Sequence, residues 1–245
     1  MRFLLLGHFE IEKPDGRTVG ITRVKHRQLL ALLLLDAPQV VSTERCIRGL
    51  WGERSPASAR RNLQTYIVGL RQALVGSQVR IETVPGGYRI TGLGCDGLDV
   101  AAFESLRRQA ALALTSEQDA TEMLGAALGL WRGTALQDLA GTSEVLANAA
   151  TRLNGWRTAV VGDFADGCIR MGAYETAIDR LREAISWDPL REDLRARLML
   201  AYHLSGRRAD ALLAYHECRA TLVQRLGIGP SQTLALLHHK ILMDG

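Results

Sequence analysis

The chain has 245 residues, of which 47% are hydrophobic and 23% are charged, and its formal net charge is +4. These values are close to globular averages, so they exclude a disordered or collagen-like chain, and the length allows one large domain or two ordinary ones. The four cysteines form no C-x-x-C pair, which favours reduced thiols over a disulfide framework. The N-terminus lacks a signal peptide pattern, and the longest apolar run, at 29–35, is too short to cross a membrane. We therefore expect a cytoplasmic protein.

The charge is unevenly distributed along the chain. Residues 1–97 hold 14 Lys and Arg against 8 Asp and Glu, a net charge of +6. Residues 98–245 hold 16 against 18, a net charge of −2. This asymmetry favours a polyanion-binding domain joined to a different second domain, although chance can produce a few extra charges in a domain of this size.

The first 91 residues contain strand and helix patterns in the order of a winged helix-turn-helix. Short strands flank the KPDGR turn at 13–17, and Val19 and Ile21 continue their alternation. Helices are predicted at 25–35, at 43–51 with Ser42 as N-cap, and at 56–74 with Ser55 as N-cap and Pro56 in the first turn. Strands at 79–84 and 88–91 follow, joined by Pro85-Gly86-Gly87. The third helix is then the reader helix and the hairpin is the wing.

The outer face of the reader helix carries the DNA-binding hypothesis, because Arg and Gln reach base edges in the major groove and a methyl group can contact thymine. The residues predicted to read bases are Arg61, Gln64, Thr65 and Val68. Phosphate contacts, which fix register, are predicted for Arg60, Asn62, Tyr66 and Arg71. Further contacts are predicted for Arg23, Lys25 and Arg27 at the start of the first helix, and for Arg80 and Arg89 on the wing. For each residue the alternative is an ordinary solvated surface position.

The remaining motifs do not support an enzyme, a metal site or a cofactor. GLGCDG at 92–97 matches a dinucleotide-binding pattern, but it follows a hairpin and precedes helices, so we interpret it as a linker. There is no P-loop and no G-x-S-x-G, and His216, Cys218, His238 and His239 lack the spacing of a zinc site.

From Leu98 onward the pattern is helical throughout. Helices are predicted near 99–114, 117–131, 143–171, 173–187, 190–205, 207–226 and 230–243. GAYETA at 172–177 and GRRADA at 206–211 are offset by 34 residues, the period of a tetratricopeptide repeat. We therefore predict a mainly α fold with a small β part, in which a winged helix-turn-helix domain precedes an all-α tetratricopeptide-like helical array.

These residues resemble the SARP family, the antibiotic regulatory proteins of actinomycetes. The resemblance is carried in the first part by VVSTERCIRGLWG at 40–52, SPASARRNLQTYIVGLRQAL at 55–74 and VPGGYRI at 84–90. In the second part it is carried by LDVAAFESL at 98–106, LWRG at 130–133, DPLREDL at 188–194, LMLAYHLSGRRADALLAYHECR at 198–219 and LGIGPSQTLALLHHKIL at 226–242. Gly69 departs from the family, whose members usually carry a polar or basic residue there, and we expect it to remove a DNA contact.

The resemblance implies an OmpR-type winged helix over residues 1–93 and a bacterial transcriptional activator domain over 94–245. It implies an activator that binds direct repeats of double-stranded DNA as a homodimer, recruits RNA polymerase holoenzyme with its sigma factor, and associates with the nucleoid. The controlled genes would be a secondary-metabolite cluster. Larger relatives append an ATPase module, and this chain resembles the small members.

Two other interpretations remain open. The helical array could be a protein-interaction scaffold with an incidental basic domain, since repeat arrays present concave surfaces. It could also sense a small ligand in a pocket lined by Trp131, Trp156 and Trp187.

Overall fold

The structure is a computed structural model that describes residues 1–94, 96–112 and 116–244. The mainly helical fold with a small β part is as predicted. The strands are β1 (Arg2–Leu4), β2 (Glu10–Glu12), β3 (Val41–Ser42), β4 (Arg80–Val84) and β5 (Gly87–Thr91). The helices are α1 (Val24–Leu35), α2 (Thr43–Trp51), α3 (Ala59–Ala73), α4 (Asp99–Leu112), α5 (Glu117–Gly129), α6 (Glu144–Arg170), α7 (Tyr174–Trp187), α8 (Glu192–Leu204), α9 (Arg208–Leu226) and α10 (Gln232–Met243). Over these ranges no helix has the length and apolar character needed to span a bilayer.

The chain divides into two compact units. The first unit comprises Met1–Leu106 and Gly129–Trp156, and the second comprises Arg107–Leu128 and Arg157–Gly245. Both units are therefore built from two separate stretches of chain. The predicted boundary between residues 93 and 94 divides the sequence into two domains rather than into these compact units, and it stays a prediction.

The N-terminal strands of the first unit are held by residues distant in sequence. β1 and β2 pair antiparallel, with Phe3 opposite Ile11. The carboxylate of Asp99 accepts hydrogen bonds from the backbone N–H groups of Leu5 and Leu6 at 2.8–2.9 Å. Asp99 is 3% exposed, and its burial raises the pKa of the carboxyl group although these donors oppose the shift. The start of α4 is thus part of the core of this unit.

A three-helix core and a small sheet form the winged helix. Nearly every residue of α1 between Leu29 and Leu34 is fully buried, against α2 and α3. β4 and β5 form the wing hairpin, with a two-residue turn at Pro85-Gly86, and β3 adds a third strand in the order β3-β5-β4. β3 was not predicted, because two residues carry no periodicity and the strand exists only through its pairing with β5. Likewise, Val19 and Ile21 lie outside the strands that the structure defines.

The two predicted N-caps have different outcomes. Ser42 caps α2, since its hydroxyl oxygen accepts a hydrogen bond from the N–H of Arg45 at 3.1 Å. The predicted start of α3 was wrong: Ser55 is not its N-cap, and the helix begins at Ala59. A turn comes first, in which the N–H of Ala59 donates to the carbonyl of Pro56 at 2.9 Å. Serine followed by proline suits this turn as well as a first helical turn.

The 34-residue repeat of the second unit is visible in its hydrogen bonds. After α6 the N–H groups of residues 171, 172 and 173 donate to the carbonyls of 167, 169 and 168. After α8 those of residues 205, 206 and 207 donate to 201, 203 and 202, the same pattern 34 residues later. The glycines in the two turns have matching φ angles of +76° and +77°. The repeat predicted from the sequence is therefore confirmed at the level of its backbone geometry.

Candidate nucleic-acid interface

The reader helix α3 has one buried and one exposed face. Leu63, Ile67 and Leu70 are at most 2% exposed and fix the helix on the core of the first unit. The residues predicted to read bases all lie on the exposed face, namely Arg61, Gln64, Thr65 and Val68. Val68 is 52% exposed, so this apolar side chain lies among polar surface residues and contributes little to the stability of the fold. The outer face can thus present a guanidinium, an amide and two methyl-bearing side chains together.

Three of the predicted phosphate contacts also have partners inside the protein. Arg60 pairs with Glu44 of α2 at 2.8 Å, and the Asn62 amide donates to the Ser58 hydroxyl at 3.1 Å. The guanidinium of Arg71 donates to the carbonyl of Ile81 at 2.8 Å and to the hydroxyl of Thr83 at 2.7 Å. Both Thr83 and Ile81 belong to β4, so Arg71 connects the reader helix to the wing.

Tyr66 and Lys25 lie in a cluster between the three helices. The ring of Tyr66 lies 6.0 Å from that of Trp51 and 5.0 Å from that of His26, centroid to centroid. The ammonium of Lys25 donates to the carbonyl of Leu50 and lies 5.8 Å from the Trp51 ring. Partial burial lowers the pKa of Lys25. These contacts orient α1 and α3, and they direct the Lys25 ammonium group toward α2 instead of toward solvent.

The basic residues at the start of α1 differ in accessibility. Arg27 donates to the carbonyl of Phe9 at 2.8 Å and forms an ion pair with Asp138, so its charge is used inside the first unit. Arg23 is exposed at the N-cap position, where its own side chain makes no capping hydrogen bond. Of these two, Arg23 is therefore the better placed for a phosphate.

Gly69 has a packing role that the sequence did not reveal. A Cβ at this position would lie 2.6 Å from Nε2 of His26, a ring that is only 7% exposed. The expectation that Gly69 removes a DNA contact was wrong, because this position faces α1. Glycine here allows α1 and α3 to approach closely. The packing gained by this approach outweighs the cost of glycine in helix propensity, which is about 1 kcal/mol.

The wing presents its charges partly neutralised. Arg89 pairs with Glu82 on the adjacent strand at 2.8 Å, and the hydrogen bonds from Arg89 and Thr91 lower the pKa of Glu82. Arg80 donates to the carbonyls of Ser77 and Val79. The turn at Pro85-Gly86 is exposed, and it is tied to α2 because the N–H of Thr43 donates to the Gly86 carbonyl at 2.9 Å.

Three of the aromatic and histidine residues outside the winged helix, Trp131, Trp187 and His238, pack against other side chains. Trp131 meets Phe103 edge to face at 5.3 Å, and Trp187 lies 3.5 Å from the Arg157 guanidinium. The ring of His238 stacks on Tyr215 at 3.9 Å. Over the described ranges no cluster of three or more His, Cys, Asp or Glu side chains forms a metal-binding geometry.

Comparison with known proteins agrees with this architecture. Residues 17–90 match the family described as transcriptional regulatory protein, C terminal, and residues 98–242 match the bacterial transcriptional activator domain. The chain is a member of the SARP family of transcriptional activators. The resemblance noted in the sequence is thereby confirmed, and SARP proteins are regulators rather than enzymes.

Individual SARP relatives cover the chain from end to end. The regulatory protein DnrI of Streptomyces peucetius is 34% identical over 99% of this chain and 92% of its own length. The transcriptional regulatory protein MoaR1 of Mycobacterium bovis is 36% identical over 99% of this chain and 79% of its own length. A solved structure of Mycobacterium tuberculosis EmbR, in complex with a low affinity phosphopeptide, superposes with a TM-score of 0.86 at 31% identity. The match covers 99% of this chain and 65% of the EmbR chain.

Proposed function

We propose that this SARP protein activates transcription by reading a direct repeat of double-stranded DNA with α3 and by recruiting RNA polymerase holoenzyme. The observation that carries the proposal is the exposed outer face of α3, whose Arg61, Gln64, Thr65 and Val68 contribute little to the fold. An α-helix fits the major groove, where arginine pairs with guanine and glutamine with adenine. Arg60 and Asn62 lie on α3 next to these residues and, with Arg23 at the start of α1, are assigned phosphate contacts.

Two protomers would bind as a homodimer on DNA, in tandem rather than as mirror images. Each winged helix would occupy one half-site, and half-sites on the same face of the duplex lie about one helical turn, or 10–11 bp, apart. The controlled promoters would belong to a secondary-metabolite cluster, by analogy with the SARP relatives.

Selection from genomic DNA tests the proposal. Full-length protein is incubated with sheared genomic DNA at near-physiological salt, and the bound fragments are sequenced. Enrichment of a few promoters that share a direct repeat with about 10–11 bp spacing is expected. Uniform, salt-sensitive retention of all fragments would contradict sequence reading, because that is the behaviour of non-specific phosphate binding.

The loop between α2 and α3 is the proposed contact with the polymerase. Residues 52–58 are all exposed, and Arg54 lies at the centre of the loop. We expect Arg54→Ala to keep promoter affinity within about twofold, since the loop is not on the outer face of α3, and to reduce transcription with purified holoenzyme at saturating activator. Normal transcription by this variant, and by Glu53→Ala, would remove the loop from the polymerase contact.

A further inference from the structure

A groove lies on the helical repeat of the second unit. It has a volume of about 470 Å³ and is formed by α7, α8 and α9. Arg207, immediately before α9, and Arg225, in its last turn, both line the groove. Because an α-helix rises about 1.5 Å per residue, these two positions are separated by roughly 27 Å. The groove therefore reaches residues near both ends of α9, and about eight residues of extended chain would connect these two positions.

The charge of the groove is positive. Arg182, Arg195, Arg207 and Arg225 line it, against the two carboxylates of Asp210 and Glu217. Arg195 pairs with Glu217 at 3.0 Å and Arg207 pairs with Asp210 at 2.9 Å, so two of the arginines are compensated from within.

The other two arginines carry the excess charge. Among the described residues, no carboxylate lies within ion-pair distance of Arg182 or Arg225, and both side chains are exposed. Arg182 belongs to α7 and Arg225 to the end of α9, so the uncompensated charges come from different helices of the repeat.

Apolar side chains also line the groove. Ile185, Leu198 and Tyr202 contribute to the lining, and each is buried by packing between the repeat helices. Leu213 also lines the groove, yet it is 56% exposed. An exposed leucine in the same groove as two uncompensated arginines suits a ligand that is apolar in part and anionic in part.

We propose that this groove binds an extended acidic peptide segment of a protein partner, with apolar residues against Leu213 and carboxylates at Arg182 and Arg225. Length and charge both select this occupant. A single small anion would meet one guanidinium and leave the apolar stretch unused, whereas a peptide can satisfy both at once. The proposal is independent of how α3 reads DNA.

Selection from a displayed library of random eight-residue peptides tests the proposal with the full chain. We expect the wild type to enrich sequences that combine Asp or Glu with Leu, Ile or Phe. An enriched peptide, labelled with a fluorophore, is then titrated by anisotropy with Arg182→Ala/Arg225→Ala and with Leu213→Asn. Each variant should weaken binding at least tenfold, while genomic DNA retention stays as in the wild type.

Matched variants outside the groove serve as controls. Arg219→Ala changes an exposed arginine of α9, and Leu236→Asn changes a leucine of α10 that is 61% exposed. Both should bind the peptide within twofold of the wild type. The proposal is overturned if no acidic peptide is enriched, if the groove variants bind it as tightly as the controls do, or if inorganic phosphate at millimolar concentration displaces it completely.

Discussion

Arginine occupies two different settings in this protein, the outer face of α3 and the packed faces of α8 and α9. Among the described residues, the structure gives the Arg61 side chain of α3 no carboxylate partner, and Arg61 is exposed. In α8, by contrast, Arg197 donates two hydrogen bonds of 2.9 Å to Asp166 of α6, and Arg195 pairs with Glu217 of α9. Arg195 and Arg197 thus connect helices of the repeat, whereas the reader arginine is left available for a ligand.

This contrast shows what the charge asymmetry of the sequence means physically. The first part of the chain has an excess of cations, so some of them stay unpaired on the surface. The second part carries slightly more Asp and Glu than Lys and Arg, yet among the described residues no carboxylate lies within ion-pair distance of Arg182 or Arg225. Net charge indicates where to look for a polyanion site, and the pairing of each side chain decides which residues can form it.

The largest expected effect is on the wing that flanks the reader helix. A Cβ at residue 87 would lie 2.0 Å from the backbone oxygen of Val41, so Gly87→Ala must separate β3 from β5. We expect the free energy of unfolding of the first unit to fall by about 3 kcal/mol. Hydrogen–deuterium exchange of peptides covering 80–91 measures the loss. Gly20→Ala, where the added Cβ meets no atom within 4 Å, should exchange as the wild type does.

Asp99→Asn should have the next largest effect. If the amide oxygen takes the place of Oδ2, it still accepts from the N–H groups of Leu5 and Leu6. Its NH2 group then lies at the place of Oδ1, which accepts from Leu5 at 2.9 Å, so two buried donors face each other. We expect a loss of about 2–3 kcal/mol in urea unfolding of the full chain. The exposed Asp179→Asn on α7 is the control and should change stability by less than about 0.5 kcal/mol. Equal effects of the two variants would contradict the core role of Asp99.

Arg61→Ala tests the reader side of the comparison. If this guanidinium reads a base, promoter binding weakens by about 1–3 kcal/mol, while the affinity for unrelated DNA changes little. Fluorescence anisotropy with both DNAs measures the ratio. Stability should be unchanged, because the side chain is exposed. An unaltered ratio would remove Arg61 from the reading face.

Arg71→Ala separates a structural arginine from a phosphate contact on the same helix. Without the Arg71 guanidinium, the Ile81 carbonyl and the Thr83 hydroxyl lose their donor. We therefore expect the free energy of unfolding to fall by about 1 kcal/mol. The slope of log affinity against log salt should then stay as in the wild type. A slope smaller by about one would instead establish the phosphate contact predicted from the sequence.

The smallest effect is expected in the repeat. Asp166→Asn removes one carboxylate from Arg197, whose side chain is 27% exposed and which also lies 3.6 Å from Asp193. Partly solvated pairs of this kind contribute about 0–1 kcal/mol. Thermal unfolding should shift by only a few degrees, and DNA binding should not change. A collapse of the fold would mean that the repeat depends on this pair far more than its exposure indicates.

Local patterns were sufficient to predict most of the elements and the exposed face of α3. The helices of the repeat followed from periodicity, and the 34-residue offset predicted the turns that the hydrogen bonds now confirm. The start of α3 was placed three residues early, because Ser55-Pro56 is compatible with a helix start and with the turn that precedes Ala59.

Contacts between distant residues could not be read from the sequence. Nothing local connects Asp99 with Leu5, Gly69 with His26, or Arg27 with Asp138, since each pair exists only after the helices pack. In the described part of the chain, Arg27 and Arg71 have structural partners, whereas the Arg61 side chain has no carboxylate partner. The candidate site was therefore predicted as a surface, and the structure was needed to sort its residues.

The most direct test of the account is to repeat the genomic selection with altered reader helices. Arg61→Ala, Gln64→Ala and Arg197→Ala proteins are each incubated with the same sheared DNA, and the enriched sequences are compared with those of the wild type. The account predicts that the first two lose or relax preference at particular positions of each half-site, while Arg197→Ala recovers the wild-type repeat. An unchanged repeat with both α3 variants would contradict the claim that the outer face of α3 reads the sequence.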